Sequence, residues 1–403
     1  MAAEPSPAGL PAPPGVSAPA GAGSLAAVPN AFSRVAFSAV CELFEAIRAV
    51  DDRGKRGYAK RRRILDAFFE THVPGFFDGE RVGAFDLYRL ILPNVDKERS
   101  VYKLKEQALA VVIGNALGLK RGASKDFLAL EGWRKRGSGN FAQTVFEVAK
   151  THRPVSGVSR ASVGDVNAAL DALAAARSKA EQIPVMARLV EATDATQLKW
   201  LAAIIIKDLK LGYGETAILR HFHPDANDLY NVCCDLRRVC DNLRSRARRF
   251  KRRDLEPGSL VKAMMASRVH SCAAAFDAMR NKRFVIESKF DGERIQVHRE
   301  GPDAFRYFTR NNNDFGPRGY DVLDRLFKAR LRAPRCVLDG ELVIWNKRDR
   351  TYAEFGYLRS FVKAIVEGRG AKEFCAPDGK QPSARPNARG GGGGSPDLSL
   401  IHI

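Results

Sequence analysis

The apolar residues of this chain change period about two-thirds of the way along it, and no single secondary-structure type can satisfy both parts. From about residue 32 to 250 they recur every three to four positions. Leu104, Ala108, Val111 and Val112 form one stripe, closed by Gly118; Leu198, Leu201, Ala202, Ile205 and Leu209 form another, widened by Ile204 and Ile206 and followed by Gly212 and Gly214. Residues three and four apart share a helix face, and glycine commonly ends a helix. After residue 280 the spacing becomes two. Phe284-Val285-Ile286 leads to the turn pair Asp291-Gly292, beyond which Ile295 and Val297 alternate with Gln296 and His298. That is the grammar of a hairpin. Arg306 to Asn311 and Cys336 to Trp345 read as further strands. The expected architecture is multidomain: an all-α domain at 32–250, a basic linker at 251–259, and a mostly antiparallel β domain from 260 to about 375.

Composition narrows the partners. A chain of 403 residues favours two domains, and a hydrophobic fraction of 45% supports real cores. The formal net charge of +20 favours a polyanion, nucleic acid ahead of an anionic membrane surface. No apolar run approaches the roughly 18 residues of a spanning helix. The cysteines, at 41, 233, 234, 240, 272, 336 and 375, make no C-x-x-C pair and suit free thiols in a reducing compartment. His221 and His223 flank Phe222 with no second ligand pair nearby, which favours a structural role over a metal. The ends have little core-forming composition. Residues 1–31 are rich in Ala and Pro, with Glu4 the only charge, and 376–403 form a Gly/Pro-rich tail with glycines at 390–394; both read as unstructured.

Two basic clusters fall in the helical part, Lys60-Arg61-Arg62-Arg63 and the run containing Arg244, Arg246, Arg248 and Arg249. Either alone reads equally well as a solvated helix face. Together, at this net charge, they favour phosphate contact.

The chemistry concentrates in Lys289-Phe290-Asp291-Gly292-Glu293-Arg294, of the form K-x-D-G-x-R. A lysine attacks phosphorus only as a neutral amine, so such a site must desolvate it and surround it with positive charge. Magnesium on a triphosphate would add charge and stabilise the leaving pyrophosphate. Asp291-Gly292 would make a tight turn that fixes Lys289 over a pocket, with Arg294 pointing from the next strand. Glu287, two residues before Lys289, would project from the same strand face. Arg310 is a candidate phosphate contact, and Glu341 a strand carboxylate for a ribose hydroxyl or a metal. Each is unexceptional alone; in this order they support one another.

Here the chain resembles a known family. Glu287 to Arg294 is similar to the first nucleotidyltransferase motif of ATP-dependent DNA ligases, Phe308-Thr309-Arg310-Asn311 to the motif that follows it, and Leu338-Asp339-Gly340-Glu341 to the third. Leu90-Ile91-Leu92-Pro93 with Glu98-Arg99, the stretch Lys199-Trp200 through Gly212, and His221 to Ala226 resemble the DNA-binding domain of the eukaryotic DNA ligase IV type. The resemblance covers roughly residues 32 to 365. It implies a helical DNA-binding domain followed by an α+β nucleotidyltransferase (ATP-grasp-like adenylation) domain with an antiparallel sheet. It further implies ATP and Mg2+, a nuclear location, and double-strand break repair by non-homologous end joining. By position, Lys289 would take AMP and Glu287 would read the adenine amino group. Asp291 and Gly292 would belong to the nucleotide-binding set, Arg294 would hold ribose or phosphate, Arg310 would contact phosphate, and Glu341 would bind ribose or metal. AMP would then pass to a DNA 5′-phosphate and be displaced by a 3′-hydroxyl.

The departures shape the expectation too. Family members continue with a fourth motif, a fifth with paired lysines, an OB domain and BRCT repeats, the last being where an end-joining scaffold partner docks. None follows Glu341 here, and Glu367-Gly368-Arg369-Gly370 lacks the apolar strand of the fourth. The family's Lys-Pro-Met-Leu-Ala is Lys262-Ala263-Met264-Met265-Ala266. The adenylation domain is thus expected to be partial and the chain inactive alone. The alternatives are a non-catalytic DNA-binding fragment and an RNA ligase or capping-type nucleotidyltransferase. A helical domain of about 220 residues argues against the last.

Overall fold

In the computed structural model the described residues are 31–366, except 53, 80, 137–139, 158–160, 251–256, 264–265, 281, 310–313, 317–319, 347–350 and 354–355. The expected tails at 1–31 and 376–403 therefore lie almost wholly outside them, as do Arg310 and most of the basic linker.

Twelve α-helices lie among the described residues between Phe37 and Asn242. Their starts are chemically specified. Ser162 caps Val163–Ala175 in a reciprocal box with Asp165, and Asp194 caps Ala195–Ile205 through the Gln197 N–H. Their inner faces merge into one core that includes Phe37, Phe44, Leu87, Tyr88, Val112, Leu170, Trp200, Leu201 and Phe222. The helix Ala195–Ile205 is buried at every position but Thr196, and even Lys199 and Trp200 spend their polar atoms on the Glu45 carboxylate.

Two expected helix outlines shift. The first helix spans Glu106–Ala116 and buries Leu109, Ala110, Val112 and Ile113, while Leu104 is buried from the loop before it. Gly118 does end it, at φ +72. The second helix stops at Ile205 rather than running on to Leu209. Lys207 turns left-handed (φ +59), and its N–H and that of Asp208 return to Ile204 and Ala203, closing the helix before the expected glycine stop.

A buried ionic knot binds three parts of this half. Arg89 pairs with Asp96 (2.9 Å) and Asp171 (3.0 Å), and Arg99 pairs with Asp171 (2.7 Å) and donates to the Asn167 carbonyl (2.8 Å).

The second core is built on an antiparallel sheet ordered β2-β1-β3, with β1 Glu293–Arg299, β2 Phe305–Thr309 and β3 Cys336–Leu342. A two-stranded ribbon follows, β4 Trp345–Asn346 and β5 Thr351–Tyr352. Ile295, Val297, Tyr307 and Leu342 pack from the sheet against Phe315, Tyr320, Phe327, Leu358 and Val362. The opposite face carries Arg294, Gln296 and His298 of β1, with Glu341, Asp339 and Phe308 across from them in register. Of the four expected strands the last three are present, the fourth ending at Leu342 rather than Trp345, but the first is not. Phe284 to Phe290 has no strand, and the hairpin joins β1 to β2 through Glu300–Ala304 instead. β1 already has a neighbour on each edge, so the stretch before it cannot be its hairpin partner. Val285 and Ile286 are accordingly each 82% exposed.

No helix among the described residues is long and apolar enough to cross a membrane. Cys41, Cys233, Cys234 and Cys240 are buried free thiols, Cys272 is exposed and Cys336 half-buried; Cys375 lies outside the described residues.

Candidate nucleotide site and basic surface

The motif enters the sheet at Gly292. Its N–H donates to Glu341 Oε1 at 3.2 Å, and a β-carbon on it would lie 2.3 Å from the Leu342 carbonyl oxygen. Only glycine permits that approach. The glycine is thus required for close packing on β3 rather than for a hairpin turn. Phe290 anchors the stretch from the other side, its ring 5.3 Å from that of Tyr352.

Two residues further on, Arg294 stands directly opposite Glu341 in the β1–β3 register. Its guanidinium donates from Nε and Nη2 to Asp339 Oδ1 and Oδ2, at 2.9 and 2.5 Å. The hydrogen-bonded Asp339 carboxylate raises the Arg294 pKa above its usual value. A guanidinium has five N–H donors, so a bidentate carboxylate leaves others for a ligand. Asp339 escaped the sequence reading, although period-two spacing from Glu341 places both on one face.

Lys289 departs from expectation. Its side chain is 84% exposed, and its amine reaches Asp291 Oδ1 at 3.3 Å. Residues 266–289 are almost all exposed, and the helix Cys272–Ala278 buries no side chain. Glu287 is exposed on the same irregular stretch, so no strand sets it and Lys289 on one face. The expected fixed position over a pocket is not seen, because no strand among the described residues pairs with this segment. The shallow cavity nearby is lined by Asp291, Gly292, Glu293, Leu342, Val343, Ile344 and Leu358, among others, and not by Lys289.

Glu341 was also a candidate metal ligand. No group of three His, Cys, Asp or Glu that could hold an ion occurs among the described residues. A protein cage for Mg2+ is therefore not present there.

The basic clusters divide by use. Lys60, Arg62 and Arg63 are exposed on the helix Gly54–His72; Lys60 pairs with Asp52, and Arg62 with Asp66 at 3.7 Å. Arg61 turns inward, donating to the Val50 and Asp52 carbonyls at 2.5 and 3.2 Å and packing on Gly212. Its guanidinium is committed to main-chain oxygens, which corrects its assignment to a phosphate surface. Arg244, Arg246, Arg248 and Arg249 are exposed, with Arg244 paired to Asp241 and Arg249 to Asp225, at 2.8 and 2.9 Å. His221 is held between Asp66 (2.8 Å) and Tyr88 (3.4 Å), and burial lowers its pKa. His223 accepts the Asp225 N–H through Nδ1 at 3.0 Å.

Comparisons with known proteins agree with this layout. Residues 36–223 match the family described as DNA ligase N terminus, and 263–375 match the ATP dependent DNA ligase domain. The chain is 36% identical over 349 residues to DNA ligase 4 of Arabidopsis thaliana, covering 85% of this chain and 27% of that protein. It is 33% identical over 368 residues to DNA ligase 4 of Gallus gallus (86% and 39%), and 30% identical over 354 residues to that of Homo sapiens (83% and 38%). The chain thus spans from about a quarter to two-fifths of the length of these relatives.

Proposed function

The chain belongs to the ATP-dependent DNA ligases and is similar to proteins named DNA ligase 4, and from that premise we propose that it supplies the DNA-gripping and AMP-accepting parts of an end-joining ligase acting in the nucleus. The reading divides it into a DNA-binding domain at 32–250 and part of an adenylation domain at 260–375. The observation that carries it is the convergence of Gly292, Arg294 and Glu341 at one end of one sheet face, with Lys289 three residues before that end.

In this reading the Lys289 amine attacks the α-phosphate of ATP. An N–P bond forms, the bond to the bridging oxygen breaks, and pyrophosphate leaves with its electron pair. Arg294 places its remaining donors on ribose or phosphate while Asp339 holds its plane, and Glu341 takes a ribose hydroxyl. Glu287 reads the adenine amino group, and Arg310 contacts phosphate. Mg2+ on the phosphates would supply positive charge to the leaving group. The helical half holds the duplex through phosphates, which suits breaks of any sequence. In the whole enzyme AMP then moves to a 5′-phosphate, and a 3′-hydroxyl displaces it.

A second reading, a DNA-binding module without catalysis, is favoured by the exposure of Lys289, whose amine is packed against no apolar wall that would take it out of water. The two readings are separated by assaying the chain on nicked duplex and then fusing it after residue 366 to the carboxyl-terminal part of a DNA ligase 4 relative. The ligase reading expects binding without sealing by the chain, and sealing by the fusion that Lys289→Ala abolishes. Sealing that survives Lys289→Ala would overturn it.

A further inference from the structure

Arg294, Gln296 and His298 alternate along β1 and share the sheet face away from its apolar core. The segment 258–262, which connects the two halves, lies across that face. The Gly258 N–H donates to His298 Nδ1 at 2.9 Å. Gln296 accepts the Val261 N–H at Oε1 (3.1 Å) and donates from Nε2 to the Val261 carbonyl (2.7 Å). The same Nε2 reaches Asp339 Oδ2 at 3.3 Å, and Asp339 holds Arg294 at both carboxylate oxygens. An amide nitrogen carries two hydrogens, so one side chain can serve the connector and the carboxylate at once.

At its other end the connector grips the helical half. The Lys262 N–H donates to the Asn231 carbonyl (2.8 Å), Lys262 Nζ pairs with Glu215 (2.5 Å), and Leu260 packs with Cys234 and Phe308. Gly258 fixes the path, because its φ of +91 suits glycine and a β-carbon there would meet Glu300 at 2.8 Å. Polar contacts therefore run from Arg294 through Asp339 and Gln296 to Val261, and the main chain carries the path on to Lys262 and its partner Glu215. Gln296 is only 4% exposed, and an apolar side chain in its place would leave the Val261 N–H and carbonyl unpaired.

We propose that Gln296 and Asp339 are positioning residues that tie the seating of the connector to the guanidinium of Arg294, so that a nucleotide at Arg294 and the grip of the helical half on the sheet reinforce one another. The nucleotide half of this rests on the reading of Arg294 as a nucleotide contact. A ligand on the outer N–H groups of Arg294 orders the guanidinium and its Asp339 partner. Asp339 in turn orders the Gln296 amide that clamps Val261. Such coupling is reciprocal.

The test is hydrogen exchange at the Gly258 and Val261 amides of the whole chain, with Ile295 and Val297 as an internal control that the sheet remains folded. Gln296→Leu should speed exchange at Val261 by about tenfold. Asp339→Asn, of the same shape, should speed it by about fivefold although its hydrogen bonds go to Arg294 and Gln296. ATP with Mg2+ should slow it by about fivefold in the wild type and leave it unchanged in Gln296→Leu. Unchanged exchange in either variant without nucleotide overturns the positioning role. ATP that binds the wild type in equilibrium dialysis without protecting Val261 overturns the coupling. If the wild type binds no ATP while both variants release the connector, the nucleotide reading of Arg294 fails and the mechanical tie stands.

Discussion

Gly292 lies so close to Leu342 that a methyl group on it would sit 2.3 Å from the carbonyl oxygen and 2.7 Å from Val343 Cγ1. Main chain cannot yield there without moving β3. Gly292→Ala should therefore lift the motif from the sheet, break the bond to Glu341 and cost on the order of 1–3 kcal/mol. Thermal unfolding checks this; an unchanged midpoint would contradict it.

The helical half should depend far more on its buried charges than on its surface pairs. Asp96 is buried against Arg89 and Arg99, so Asp96→Ala leaves two buried guanidiniums short of a partner and should cost about 3–5 kcal/mol. Lys60→Ala, at an exposed pair with Asp52, should cost less than about 1 kcal/mol. Urea denaturation of both variants makes the comparison, and similar losses would refute it.

Acid should loosen the sheet through His298. Burial, reinforced by Arg306, pushes its pKa down from 6.5 to about 4, while Asp339 opposes the shift. The unfolded chain therefore binds the proton more readily between those values. This contribution to stability is whole above about pH 6.5 and is lost as pH falls toward 4, by up to roughly 3 kcal/mol. His298→Gln should flatten the pH dependence of stability in that window. Equal slopes for variant and wild type would remove His298 as the cause.

Duplex binding should be electrostatic and indifferent to sequence. Each phosphate neutralised releases counterions, so affinity should fall steeply with salt, and Arg63→Ala or Arg248→Ala should each reduce the log–log slope by about 1. Arg61→Ala should leave that slope unchanged and lower stability, because Arg61 serves main-chain carbonyls. Fluorescence anisotropy over a salt series separates the cases, and a flat series would overturn the phosphate reading.

Much of this was legible in sequence because local chemistry and tertiary demand agree. The stripe through Leu198 and Leu201 becomes the buried helix Ala195–Ile205, and the alternation Ile295, Gln296, Val297, His298 becomes the two faces of β1. The misses are of another kind. Phe284-Val285-Ile286 has strand composition, but both edges of β1 are taken by β2 and β3, and composition cannot reveal which strands pair. Arg61 reads as surface charge, yet the chain bends to bring the Val50 carbonyl to it from eleven residues away. Asp339 and Gln296 matter through contacts that only the sheet register and the returning connector create.

The central claim is that Lys289 accepts AMP, and adduct mapping tests it most directly. The chain fused after residue 366 to the carboxyl-terminal part of a DNA ligase 4 relative is incubated with α-labelled ATP and Mg2+, denatured and digested. The label should appear as an acid-labile adduct on the peptide containing Lys289. It should be absent from both Lys289→Ala and Lys289→Arg, since guanidinium stays protonated and cannot attack phosphorus. A label on any other lysine, or one that persists in Lys289→Ala, would contradict the account.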